Sequence, residues 1–104
     1  MECDKAQLEA AFEDTRDLFV AFGDRYRQEI IMILGRNQRM TVKELAEALE
    51  LSRPATSHHI KILKQAGLLG ERKEGVRRYY YPTLTEGFMK VKQLIEAADG
   101  WIRK

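Results

Sequence analysis

Two adjacent histidines, His58 and His59, are the side chains whose chemistry the sequence leaves most open. Consecutive residues of a helix point about 100° apart, so this pair cannot bind one metal ion as histidines at i and i+4 do. The chain contains no further histidine, and its one cysteine, Cys3, belongs to an acidic N-terminal stretch. No serine or carboxylate stands at a spacing that marks a catalytic partner. The pair therefore predicts neither a metal site nor an enzyme, and we interpret it as part of a surface that contacts another molecule.

Positive charge is concentrated in the segment that contains these histidines. The net charge is +2, but residues 53–78 carry seven basic and two acidic side chains, whereas residues 1–24 carry two basic and seven acidic ones. A solvated charged face is the general interpretation of such a cluster. Its coincidence with polar side chains that can donate and accept hydrogen bonds favours a nucleic-acid contact instead.

Length and composition place limits on the kind of protein. A chain of 104 residues with 44% hydrophobic residues predicts one folded domain over residues 1–104. One cysteine cannot form an internal disulfide, which fits a reducing cytoplasm. No apolar run approaches the roughly 20 residues that cross a bilayer. We therefore expect a cytoplasmic protein with no membrane partner.

Hydrophobic spacing and capping residues predict five helices that must position the basic segment. Asp24, Thr41 and Ser52 are good N-cap residues. Glu44 follows Thr41 at the spacing of a capping box, and Pro54 is compatible with the first turn of a helix. The predicted helices cover residues 5–22, 24–37, 41–49, 52 to 65 or 66, and 84–102.

After Gly67 the spacing changes to two extended segments on either side of residues 73–75, which predicts a β-hairpin with a basic tip. Alternation places Tyr79 and Tyr81 on one face of the second strand and Tyr80 on the other, so at least one tyrosine should be buried. The order of elements predicts a mainly α (α+β) fold. This fold is a winged helix-turn-helix with about five helices and one two-stranded hairpin as the wing.

The fourth helix is predicted to lie in the major groove of DNA. Its core side contains Thr56, with His59 at the edge, and its outward side is polar and basic. Ser57 and His58 can bond to base edges, while the lysines can neutralise phosphates. The predicted DNA-binding residues of this helix, its cap and the wing are Ser52, Arg53, Thr56, Ser57, His58, His59, Lys61, Lys64, Lys73, Arg77 and Arg78.

Apolar stripes on the first and last helices predict a homodimer, because the central helices already have each other to pack against. A twofold interface also suits the reading of two half-sites about 34 Å apart. The predicted interface residues are Leu8, Phe12, Phe19, Phe88, Val91, Ile95 and Ile102.

The block from Phe22 to Pro82 resembles the ArsR/SmtB family of bacterial winged-helix repressors. The pattern S-x-H-I/L-x-x-L-x-x-A-G-L-L/V carries the resemblance, together with the aromatic strand that follows the basic wing. The matching residues of the pattern are Ser57, His59, Ile60, Leu63, Ala66, Gly67, Leu68 and Leu69. The resemblance implies a dimeric repressor that binds promoter DNA and is released by a metal ion or another inducer.

Two departures from the family separate this chain from its metal-sensing members. Those members carry a cysteine pair in the third helix or Asp and His ligands on the last helix, and neither set is present here. The last helix offers only the carboxylates Glu86, Glu96 and Asp99. We therefore predict no metal and no cofactor, with a site that pairs Cys3 with its symmetry mate as the alternative. The inducer is unknown.

A winged-helix module that binds protein instead of DNA is the alternative function. The basic segment argues against it, because lysine is depleted at the cores of protein interfaces.

Overall fold

The computed structural model describes residues 4–103, which form five helices and one hairpin. The elements are α1 (Lys5–Phe22), α2 (Arg25–Asn37), α3 (Val42–Leu49), α4 (Arg53–Gln65), β1 (Leu69–Glu74), β2 (Arg77–Pro82) and α5 (Leu84–Ile102). The predicted fold class is confirmed, and the helix bounds agree with the predicted ones to within about a residue.

Side-chain caps start three of the central helices where the sequence predicts them. Asp24 accepts a hydrogen bond from the backbone N–H of Arg27, and Thr41 forms a complete capping box with Glu44. Ser52 accepts from the backbone N–H of Ala55 at 3.2 Å. Each cap satisfies a first-turn donor that has no partner within its helix, so these residues set where α2, α3 and α4 begin.

The wing is an antiparallel hairpin that is anchored to the loop before α3. Its strands pair from Leu69↔Pro82 to Glu74↔Arg77. The turn at the tip therefore lies at Gly75 and Val76, about one residue later than predicted, and Gly75 has φ +63°. Tyr80 is buried, which confirms the alternation argument. Its backbone N–H and C=O both bond to Met40, at 2.8 and 3.1 Å.

The end of the hairpin is fastened to the end of α4. The Thr83 hydroxyl donates to the carbonyl of Gly67 at 3.0 Å. The Thr83 backbone N–H donates to the carbonyl of Leu68, also at 3.0 Å. Thr83 lies directly before α5, so the start of α5 is held against the segment that leaves α4.

Helices α1 and α5 pack against each other through a face that the sequence does not mark clearly. The buried residues of α1 are Thr15, Leu18 and Ala21, and those of α5 are Gly87 and Leu94. A Cβ atom on Gly87 would lie 2.8 Å from Cδ1 of Leu18. The two helices therefore approach closely at this glycine. Phe88 of α5 stacks on Phe22 of α1, with ring centroids 5.7 Å apart.

Substitution of Gly87 tests this close approach. The branched side chain of Gly87→Val would collide with Leu18 and Leu68, so we expect the free energy of unfolding to fall by about 1–3 kcal/mol. Gly35→Ala in α2 is the control, since a Cβ there meets nothing within 4 Å. That change should raise stability by about 0.5–1 kcal/mol through helix propensity. Denaturant titrations at matched protein concentration measure both, and equal stability of Gly87→Val and wild type would contradict the packing described.

Candidate nucleic-acid interface

The outward side of α4 presents polar and basic side chains to solvent, as predicted. The burial of Thr56, Ile60 and Leu63 orients the helix, because these residues form its core side. The exposed residues of the cap and of the opposite side are Ser52, Arg53, Ser57, His58, Lys61 and Lys64. No acidic residue lies within α4, so the exposed side of the helix is positively charged.

Thr56 does not belong to this exposed surface, and its prediction as a DNA contact is wrong. The residue is 0% exposed. Its hydroxyl donates to the carbonyl of Ser52 at 2.9 Å. The reason is its position on the core side of α4, where it satisfies its own polar group within the helix.

His59, also predicted as a DNA contact, lies at the junction of three helices and not on the exposed side of α4. Its side chain is 15% exposed. Nδ1 lies 3.2 Å from Nη1 of Arg27, and the same guanidinium donates to the carbonyls of Val20 at 3.0 Å and Ala21 at 2.8 Å. Arg27 thus joins the end of α1 to α4, with His59 as the acceptor on α4. No local sequence signal reveals a partner 32 residues away.

The wing carries its positive charges on exposed positions. Lys73, Arg77 and Arg78 are all exposed. Arg39, which the sequence analysis missed, forms an ion pair with Glu74 and lies over the ring of Tyr79 at 4.3 Å. It adds a second attachment between the wing and the loop before α3.

Two grooves connect the exposed side of α4 with the wing. The α4–wing groove has a volume of about 340 Å³ and is bordered by Ser57, Lys61, Lys64, Glu71 and Arg78. The second groove, of about 620 Å³, lies between α3 and β2, and its lining includes Arg53, Arg77 and Arg78. Because both grooves include arginines of β2 and residues of α4, the helix and the wing form one continuous surface.

Residues 4–103 contain no cluster of metal ligands and no membrane-spanning helix. Among residues 4–103 no group of three His, Cys, Asp or Glu side chains lies close enough to hold a metal ion. Cys3 falls outside these residues, so its pairing with a symmetry mate stays an alternative. No helix within the same range is long and apolar enough to cross a bilayer.

The environment of His59 predicts a pH dependence of stability. Burial lowers the pKa of His59 from its ordinary 6.5; Asp24 opposes this, while the charges of Arg27 and His58 add to it. As the pH falls through 6.5, the unfolded chain therefore takes up a proton that the folded protein binds only at lower pH. The free energy of unfolding should decrease over this interval.

Denaturant titrations at about pH 7.5 and about pH 5.5 bracket the ordinary histidine pKa and measure this decrease. We expect His59→Asn, which keeps an acceptor near Arg27 but does not titrate, to lose less stability than wild type between the two values. An equal loss in both proteins would show that His59 is not the group responsible.

The sequence is similar to those of known transcriptional regulators. The family model for bacterial regulatory proteins of the arsR family matches residues 24–70. A helix-turn-helix transcriptional regulator of Methanocaldococcus jannaschii is 36% identical over 88 residues, which cover 85% of this chain and 94% of that protein. The arsenic resistance regulator ArsR1 of Pseudomonas putida is 31% identical over 88 residues, covering 82% and 69%. Similar chains include a named repressor, SdpR of Bacillus subtilis, and a named activator, HlyU of Vibrio cholerae.

Solved structures show the same fold. An ArsR-like transcriptional regulator from Rhodococcus sp. RHA1 superposes with a TM-score of 0.79 at 28% identity, over 90% of this chain and 85% of that one. A homodimeric winged helix-turn-helix DNA-binding domain from Mycobacterium bovis gives 0.71 at 22% identity, over 95% and 91%. Together with the exposed basic surface of α4 and the wing, these matches place the chain in the ArsR family of DNA-binding winged helix-turn-helix transcriptional regulators.

Proposed function

We propose that this protein is a homodimeric repressor that binds specific DNA sequences through α4 and the wing. The observation that carries the proposal is the continuous surface on which the exposed polar side of α4 and the arginines of β2 border the same grooves. A helix of this kind fits the major groove of B-DNA, where each base pair presents a distinct pattern of donors and acceptors.

The two parts of the surface have different roles. Ser57 and His58 lie exposed in the N-terminal half of α4, the part of a recognition helix that reaches base edges. Their short side chains can donate and accept hydrogen bonds, so we assign them to sequence recognition. Lys61, Arg77 and Arg78 carry positive charge on the rim of the surface, which suits contacts to phosphate that act on any sequence.

The proposed dimer rests on apolar surface that one protomer leaves exposed. Phe12 is 54% exposed, Phe19 49%, Phe88 49%, Ile95 62% and Ile102 78%. Leu8 and Val91 are half-buried, and Val91 packs against the core. All seven residues lie on α1 and α5, and exposed apolar surface of this kind marks interaction sites. The homodimeric domain from Mycobacterium bovis shares the fold and supports a second copy of this chain as the partner.

Repression follows from occupancy of the DNA. A dimer on a promoter covers major-groove edges and phosphates that transcription proteins would otherwise contact. SdpR is named a repressor, which supports repression, whereas HlyU is named an activator of transcription. In vitro transcription from a template with the bound site decides between them: we expect less transcript as protein is added, and more transcript would establish activation instead.

Selection of bound sequences from a random duplex pool tests sequence-specific binding directly. We expect recovery of an inverted repeat whose half-sites lie about one helical turn apart. Binding of the selected duplex should weaken as salt rises. Failure to enrich any sequence, or to bind DNA at low salt, would favour the protein-binding module.

Substitutions of His58 and Arg77 separate sequence recognition from phosphate contact. Arg77→Ala should weaken binding to all duplexes and lower the slope of log K against log salt by about 2 per dimer, since each lost phosphate contact removes about 1. His58→Ala should change which sequences are preferred. Repeating the selection with each variant measures both effects. Equal losses on specific and random DNA for the His58 variant would remove it from sequence recognition.

Sedimentation velocity at micromolar concentration tests the dimer. We expect wild type to sediment at twice the 12.1 kDa of one chain. Ile95→Glu should shift the protein towards monomer, because it places a charge on a side chain that only a partner would bury. Met32→Glu is the control: Met32 is 64% exposed on α2, outside the stripes, and should leave the dimer intact. A wild-type species of 12.1 kDa would refute the dimer.

A further inference from the structure

Glu71 connects the recognition helix to both strands of the wing. Its Oε1 accepts a hydrogen bond from Nζ of Lys64 on α4 at 3.0 Å. Its Oε2 lies 4.0 Å from Nη1 of Arg78 on β2. Tyr80 is its cross-strand neighbour on β2. One carboxylate therefore contacts α4 and β2 from β1, within the α4–wing groove.

The carboxylate of Glu71 carries a full negative charge at neutral pH. The hydrogen bond from Lys64 lowers its pKa below the ordinary 4.5, against the effect of burial, and the Tyr80 hydroxyl and nearby charges lower it further. Burial raises the pKa of Tyr80, and the neighbouring Glu71 carboxylate raises it further. The charge lies on the surface that we assign to DNA.

This negative charge competes with DNA phosphate for two cations. Lys64 and Arg78 are two of the three basic residues that line the α4–wing groove, and both are ion-paired with Glu71. A phosphate that approaches either cation meets a carboxylate a few ångströms behind it. DNA of any sequence is therefore bound more weakly than the seven basic residues of the segment would suggest.

We propose that Glu71 is a specificity-determining residue that lowers affinity for non-specific DNA and holds α4 and the wing in the geometry required by a specific site. The inference rests on the proposed function, because it assigns a role within that surface. Non-specific binding consists almost entirely of phosphate contacts, so repulsion by Glu71 opposes it directly. A specific complex also depends on base contacts, and the bonds of Glu71 help to align the helix that makes them. Repulsion by Glu71 therefore lowers the affinity of a specific complex less than that of a non-specific one. Specificity is the ratio of the two affinities.

Glu71→Gln tests the inference, because the amide keeps the shape and an acceptor oxygen but removes the charge. The probes are the duplex selected by the wild-type protein and a shuffled duplex of the same composition. At low salt we expect affinity for the shuffled duplex to rise about eightfold per dimer, the effect of removing one carboxylate about 7 Å from a phosphate in each protomer. Affinity for the selected duplex should rise by less than about threefold, because a neutral hydrogen bond to Lys64 is weaker than a charge-assisted one.

The salt dependence identifies the cations involved. The slope of log K against log salt on the shuffled duplex should steepen by about 0.9 for each phosphate contact that Lys64 or Arg78 gains. In a Lys64→Gln background, Glu71→Gln should give a smaller gain on shuffled DNA, since one of the two released cations is missing. The full gain in that background would overturn the assignment to Lys64.

Glu50→Gln is the matched control, since it makes the same change of charge at an exposed position in the turn between α3 and α4. It should alter the ratio of the two affinities much less than Glu71→Gln does. The inference would be overturned if the two variants had equal effects or if Glu71→Gln left the ratio unchanged. It would also be overturned if Glu71→Gln bound both duplexes more weakly while its melting temperature stayed the same. If wild type itself shows no preference for a selected duplex, the proposed function fails, and that result is distinct from an unchanged ratio.

Discussion

The surface that we propose for DNA binding depends on the burial of one side of α4. Thr56, Ile60 and Leu63 are each at most 3% exposed, and they lie on the same side of a helix of 13 residues. Because residues at three- and four-residue steps share a face, burying these three fixes the rotation of the helix about its own axis. Ser57 and His58 then have no position available except the solvent side. The orientation of the proposed recognition surface is therefore a consequence of core packing, and a change in the core would rotate it.

Electrostatics adds to this arrangement by balancing positive charge locally. The basic segment is not a uniform patch, since two acidic residues of the wing form ion pairs, Glu74 with Arg39 and Glu71 with Lys64. Arg39 and Lys64 come from outside the wing, and their ion pairs attach it to the body of the protein at two places. Exposed ion pairs of this kind contribute little stability on their own. Their effect is to offset positive charge at the two places where the wing meets α4 and the loop before α3.

Local features of the fold could be predicted from the sequence, whereas contacts between distant segments could not. The capping box of Thr41 and the burial of at least one wing tyrosine follow from signals within a few residues, and the structure confirms both. The partnership of His59 with Arg27 links positions 32 residues apart, and nothing near either residue indicates it. A helical projection places His59 at the edge of the core but does not reveal an acceptor role. In the sequence, Glu71 likewise appears only as one of two acidic residues that lower the net charge of the basic segment. Its contact with Lys64 on α4 is visible only in the structure.

The bonds from Thr83 have a consequence for the spacing of DNA half-sites. Its hydroxyl and backbone N–H hold the start of α5 to Gly67 and Leu68, so no flexible linker separates α5 from the end of α4. In a dimer assembled through α5, the two recognition helices would keep a fixed separation and a fixed angular phase. Each base pair inserted between half-sites rotates one of them by about 34–36° around the duplex axis. Such a dimer could not follow that rotation without breaking its own contacts. The number of base pairs between its half-sites would then be as restricted as their sequence.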